Sequence, residues 1–357
     1  MFAQSDKMRI ISALFFSGKV RRKFYLKLAA MTENGLSLND ALETMHERLA
    51  RKSNPQQMIF SEALLRMQGG GSLADAFYGF IPDAEYMLIK SGVDGGDLPH
   101  ALELTCGLIE AKQKIVKAII EALSYPILLC SLLLVFMLVL AHYVVPQLSL
   151  IVDPASWRGA AATLYSAALF IGSPSGGLLL CSVAGSLASI LSTFPYFTGK
   201  LRIKCDKLPP WSLYRLIQGS IWLFTLATML KANVQLSVVL DDMLESSKRN
   251  KWLKERVYAF RAQLNLGKSL GEALDDSGFE FPDKEIVEDL VIYSTLPGFD
   301  ARLYSIAQQW LTEGIDHIKG QCKILNYALL FQILAVLCSI ALAVSSLQQQ
   351  LSPSVQY

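Results

Sequence analysis

The chain is written twice. Phe24, Leu28, Ala29, Gly35, Leu38 and Leu42 return as Trp222, Leu226, Ala227, Asn233, Leu236 and Leu240. Ser72-Leu73-Ala74-Asp75-Ala76 returns as Ser269-Leu270-Gly271-Glu272-Ala273, and Ile81-Pro82-Asp83 as Phe281-Pro282-Asp283. The separation drifts only between about 197 and 202 residues, so one unit is used twice. Each copy then feeds an uncharged apolar run, at Leu123-Ser124-Tyr125-Pro126 and at Leu325-Asn326-Tyr327-Ala328. A fold that meets this constraint holds two like modules, each tied to a membrane helix.

Composition agrees with a few spans. Hydrophobic residues make up 52% of the 357 and charged residues 18%, with a mean hydropathy of +0.35, too apolar for an ordinary soluble chain. No Asp, Glu, Lys or Arg occurs in 122–152, 159–199 or 324–357. A hydrocarbon core of ~30 Å needs about 20 apolar residues in a helix. Residues 125–145, bounded by Pro126 and Pro146, meet this, as do 324–347. The middle run is interrupted by Gly172-Ser173-Pro174-Ser175-Gly176-Gly177. The reading is an outer connection over 146–176 with an interfacial helix at Trp157–Phe170, and a second span over 177–194. Crossing by both halves of that run is the alternative, with four spans.

Basic residues orient the chain. Lys112, Lys114 and Lys117 precede the first span, Lys200, Arg202, Lys204 and Lys207 follow the second, and Lys319 and Lys323 precede the third. The outer connection carries only Asp153 and Arg158, and the tail, 348–357, carries no charge. Both polar regions, 22–121 and 200–323, are therefore expected in the cytoplasm and the C-terminus outside. The first 21 residues read as a basic arm (Lys19, Arg21, Arg22, Lys23) beside an amphipathic stretch, Ile10–Phe16, that touches the membrane or a partner. A cleaved signal peptide is disfavoured, because the basic cluster follows the apolar run.

Within each module the apolar spacing is helical, and no stretch alternates as a strand does. Phe24, Leu28 and Met31 share a face that Asn34-Gly35 ends; Asn233 holds the matching place, and Asn is the next-best residue after Gly for a left-handed helix end. Leu38, Leu42, Met45 and Leu49 form a second stripe. Ser72 with Asp75 reads as a capping box. Pro82 opens a helix that Gly92 is expected to close, and a long helix from Leu98 continues into the first span with a bend at Pro126. Each module is thus a bundle of about six helices, large enough for a core.

Catalytic patterns are missing. Gly69-Gly70-Gly71-Ser72 is a turn, since no Gly-Lys-Ser/Thr follows. The four histidines lack paired ligand spacing and the six cysteines form no CxxC pair. No serine sits in a nucleophile elbow, and the uncharged spans offer nothing to a transported substrate. The near-zero net charge of +2 gives no field for nucleic acid. One constellation remains, Gly92-Val93-Asp94-Gly95-Gly96-Asp97-Leu98. As a turn it ends one helix and caps the next; as a site, Asp94 and Asp97 could hold a hard cation. No cofactor is expected.

Taken together, these residues resemble the general secretion F / PilC family of inner-membrane platform proteins, found in type II secretion and type IV pilus machines. Its first motif matches Phe24, Leu28, Ala29, Gly35, Leu38, Ala41 and Leu42; a second matches Pro82, Gly92, Gly96 and Leu98; its span signatures match Ala122-Leu123-Ser124-Tyr125-Pro126 and Val144-Val145-Pro146. The likeness covers about residues 22–347. The chain departs at Val93, where the family has Glu, at Ile292–Gly298, and at Tyr327-Ala328, which points to a divergent branch, type IVb or conjugative. The resemblance implies a non-enzymatic, multi-pass, homo-oligomeric scaffold. Its partners would be a cytoplasmic hexameric assembly ATPase, pilin subunits and other inner-membrane assembly proteins. A type II secretion platform is the alternative, and a membrane transporter or enzyme with an unrecognised site a more distant one. The arm Lys19–Lys23 is expected to contact lipid headgroups or the ATPase.

Overall fold

The computed structural model describes residues 15–351 except 53, 151–152, 154–156, 158, 209 and 248–249. Residues 1–14, which hold most of the expected amphipathic stretch Ile10–Phe16, and residues 352–357, the end of the expected outer tail, lie outside the described residues. Among the described residues there is no strand beyond one isolated bridge, Tyr78 to Ile81; the protein is all-α.

The first copy of the repeat folds as α1 (Gly18–Glu33), α2 (Leu38–Ala50), α3 (Gln57–Gln68), α4 (Leu73–Phe77), α5 (Asp83–Asp94) and α6 (Leu98–Val139). A π-turn, Leu140–Val144, leads from α6 into α7 (Val145–Ser149), followed by α8 (Ala160–Gly172), α9 (Pro174–Thr193) and α10 (Lys200–Cys205). The second copy folds as α11 (Trp211–Lys231), α12 (Leu236–Ser246), α13 (Lys251–Leu264), α14 (Leu270–Asp275), α15 (Lys284–Tyr293) and α16 (Phe299–Leu351).

The local chemistry that shapes one copy shapes the other. Gly35 (φ 83°) and Asn233 (φ 58°) are both left-handed. Each is followed by an N–H that reaches back five residues, Leu36 to Met31 O at 3.1 Å and Val234 to Met229 O at 3.0 Å, the bond that closes a helix end. The box at α4 is reciprocal: Asp75 N–H donates to Ser72 Oγ at 3.2 Å and Ser72 N–H to Asp75 Oδ2 at 3.3 Å. At α14 the partners are Ser269 and Glu272, at 3.3 and 2.9 Å. Two otherwise unpaired N–H groups are satisfied in each.

Gly92 does not end its helix, as its spacing had predicted. α5 runs on to Asp94, and the left-handed residue is Gly96 (φ 73°). The glycine serves packing instead: a Cβ on Gly92 would lie 2.2 Å from Ala101 Cβ on α6. Phe16, expected at a membrane or partner surface, is fully buried and packs with Phe24, Phe60 and Phe77 at centroid distances of 6.0, 6.2 and 6.0 Å.

Contacts divide the chain into two units, one of residues 1–116 with 194–314 and the other of 117–193 with 315–357. In the first, both repeat cores are present. Leu28, Leu42, Ile59 and Phe77 are buried in one; Trp222, Leu226, Phe260 and Phe281 in the other. In the second unit, Leu140 and Trp157 form a small core with Phe136, Tyr165, Val336 and Ile340 packed on it. Pro126 lies inside α6 rather than at a helix start, and Pro146 lies inside α7, so neither proline bounds a helix.

Among the described residues, four helical stretches are long and apolar enough to cross a bilayer: Leu98–Gln147, Pro174–Thr193, Trp211–Lys231 and Arg302–Leu342. The third is α11, whose residues Trp222 to Met229 are all buried within the first unit. It is apolar because it fills a core, in the place α1 holds in the first repeat. α8, with 13 residues, is about 20 Å long, short of the ~30 Å that a crossing needs.

Candidate functional site

The basic arm divides on inspection. Arg21 lies on the first turn of α1 and points at α5, where Glu85 is buried. Its Nε and Nη2 donate to the two carboxylate oxygens at 2.8 and 3.0 Å, and its Nη1 to Phe16 O at 2.5 Å. The Tyr25 hydroxyl donates to the same carboxylate at 3.0 Å; burial first, then the Glu85 charge, pushes that phenol well above its ordinary range, so it stays a donor. A bidentate, buried pair of this kind is a clamp between helices. Arg21, expected to contact a partner, makes these bonds within the fold. Arg22 pairs with Glu110 on α6 at 2.7 Å, and Glu110 is held low by Lys114 first and by Arg22 as well. Lys19 and Lys23 are exposed.

The Gly92–Asp97 turn lies where the repeats meet. Together with Lys90, Ser91 and His100 it lines a cavity of about 540 Å³ whose other wall is Lys231–Val234, the end of α11. Ser91 Oγ donates to Ala232 O at 2.6 Å across the junction. Asp97 Oδ1 accepts the His100 N–H at 3.3 Å, as a helix cap. Asp94 and Asp97 are both exposed. Among the described residues no group of three His, Cys, Asp or Glu side chains could hold a metal. What the turn shows is the Asp97 cap on α6. On α12, burial, then Asp83 of α5 and Glu245, raise the Asp242 carboxyl to about 6.

A buried ionic cluster escaped the sequence reading. Arg202 and Arg256 flank Asp206, at 2.9 and 2.6 Å, and all three are essentially inaccessible. Trp252 Nε1 donates to the same carboxylate at 3.2 Å. The Arg202 guanidinium lies 5.6 to 5.8 Å from the rings of Phe194, Phe197, Tyr214 and Trp252. These cation–π contacts replace the oxygen acceptors that its Nη atoms lack. Trp252 N–H also donates to Pro195 O at 3.0 Å. The segment after α9 is thus pinned to α13. The only hint in the sequence is the Arg202–Asp206 spacing of one helical turn.

What these arrangements share is mechanical. They fasten helices, and none presents a nucleophile beside a base. The family model of type II secretion system (T2SS) protein F matches residues 24–146 and again 222–345, which are the two halves of the duplication. The chain belongs to this family. It is an inner-membrane, non-enzymatic platform protein of the general secretion F / PilC group, all-α, with its domain repeated. It is 26% identical, over 98% of its own length and 100% of the relative's, to the toxin coregulated pilus biosynthesis protein E of Vibrio cholerae serotype O1. Phe24, Leu28, Ala29 and Leu42 of the family motif are buried, Leu38 and Leu98 are half-buried, and Pro82 caps α5.

Proposed function

We propose that the chain is the platform of a type IV pilus assembly machine, which couples a cytoplasmic assembly ATPase to the insertion of pilin subunits into a fibre. The observation that carries this reading is its end-to-end likeness to a pilus biosynthesis protein. In this reading residues 125–145, 177–194 and 324–347 cross the membrane, both repeats face the cytoplasm and the C-terminus faces the periplasm. The excess of Lys and Arg beside the repeats supports that orientation.

α6 and α16 are helices of 42 and 53 residues, and each carries the last helix of a repeat on into an apolar stretch. The family also serves type II secretion, the second reading.

Deletion of the chain in its host, with complementation, separates the two. Loss of surface pili, restored by the full-length chain, and co-purification of an assembly ATPase are the expected results. Intact pili with loss of secreted enzymes would move the assignment to a secretion system.

A further inference from the structure

The two repeats have diverged in complementary ways. Between α1 and α2 lies a groove of about 560 Å³. Apolar side chains, including Met31 and Met45, form its floor, and Lys23, Lys27, Arg48 and Lys52 are its charged lining. All four cations are exposed, no carboxylate lines the groove, and among the described residues none of the four forms an ion pair. At the matching places of the second repeat stand Ile221, Thr225, Ser246 and Asn250. The charge belongs to the first repeat alone.

The second repeat carries the opposite charge on its fifth helix. Glu285, Glu288 and Asp289 of α15 are exposed along one side, with Ile292, 62% exposed, one turn further on. Among the described residues, only Lys284 opposes them, at 3.6 Å from Glu288. On α5, Met87 and Ser91 face the other repeat, where Ser91 bonds to Ala232. So α5 is engaged within the chain, whereas α15 carries an open acidic side. No residue of α15 lines the basic groove, and the two surfaces do not meet within one chain.

We infer that the acidic face of α15 in one copy docks into the basic α1–α2 groove of a second copy. The contact joins different patches of identical chains, so it is heterologous, and it generates a ring when the rotation closes. Ile292 supplies an apolar anchor for the methionine floor, while the charges set rate and orientation. This adds a surface to the homo-oligomer that the family resemblance implies, and it does not depend on the ATPase reading.

The full-length chain in lipid nanodiscs tests this by mass measurement across a dilution series. Lys27→Glu with Arg48→Glu, or Glu288→Lys with Asp289→Lys, should each weaken self-association by about tenfold or more. Combining all four substitutions should restore it. All four positions are exposed, and helical content measured in parallel reports any failure to fold. A second arm works in native membranes, in a background with the native cysteines replaced. Two differently tagged chains, one Lys27→Cys and one Glu288→Cys, should be joined by a short bis-maleimide, and neither should self-link when expressed alone. The proposal is overturned by a wild-type chain that stays monomeric, by reversals that leave the oligomer unchanged, or by a swap that fails to restore it. It also falls if the reversals lower only the anionic lipid or the ATPase that copurifies, because the groove then holds a different occupant.

Discussion

Arg21 holds Glu85 with two hydrogen bonds, 2.8 and 3.0 Å long, in a site where the carboxylate is buried. The clamp joins the first helix of a repeat to the fifth, over 64 residues of chain. Breaking a buried pair leaves an uncompensated charge, which costs about 3–5 kcal/mol. Glu85→Ala should therefore lower thermal stability sharply, and Tyr25→Phe, which removes one neutral donor, by about 0.5–1.5 kcal/mol. Melting curves of the purified chain would show this ordering; equal effects would mean that the Arg21 pair is not the main element of the network.

Gly92 is a contact residue. Gly92→Val would press a branched side chain onto Ala101, whose Cβ lies 2.2 Å from where a Cβ would stand. Overpacking of that kind costs about 1–3 kcal/mol. At Asn233, by contrast, Gly should be tolerated or slightly stabilising, because the left-handed conformation there (φ 58°) suits glycine best. A comparison of denaturant midpoints would test both.

Asp242 gives the repeat junction a pH dependence. Its carboxyl is raised from an ordinary 3.8 to about 6, mainly by burial and then by Asp83 and Glu245. The folded state thus holds a proton that the unfolded chain has released. Stability contributed by the neutral carboxyl is complete below about pH 4 and is lost as the pH rises through about 6. Asp242→Asn should flatten that slope between pH 4 and 7; an unchanged slope would assign it to other groups.

Much of the local structure was legible in the residues. The caps at Ser72 and Ser269 and the left-handed ends at Gly35 and Asn233 depend on contacts within a few residues, which spacing reveals. The apolar runs are equally local. What spacing could not show is which charges are spent inside the fold. Arg202 reads as one more basic residue after a span, yet it is enclosed by four rings. Arg21 reads as part of a free arm, yet its partner Glu85 is far along the chain. Gly92 was mistaken for a helix end because a glycine needed for close approach and one needed for positive φ look alike in sequence. The docking of α5 on the second repeat also depends on tertiary packing alone.

Orientation can be read with single cysteines. Ser37, exposed at the cap of α2, and Ser166, exposed on α8, should label oppositely with an impermeant thiol reagent in spheroplasts, in a background free of other cysteines. Only Ser166→Cys should react from outside. Labelling of Ser37→Cys from outside would invert the proposed topology.

The core of the first repeat should not accept charge. Leu28 is fully buried, and Leu28→Asp would place an unpaired carboxylate among apolar side chains at a cost of several kcal/mol. The variant should reach the membrane in reduced amount and be cut by protease within residues 22–121. Wild-type resistance to protease would contradict the assigned core.

The 53-residue continuity of α16 also fixes an angular phase. Each residue turns a helix by about 100° and advances it 1.5 Å, so Ile318, which is buried, and Val336 and Ile340, which pack on Leu140 and Trp157, are locked in azimuth by the number of residues between them. One residue inserted near Gly320 would swing everything beyond it by more than a quarter turn and carry its apolar stripe away from its partners. Seven inserted residues would return the stripe to within about 20° of its bearing. Length along this helix is therefore less constrained than angle.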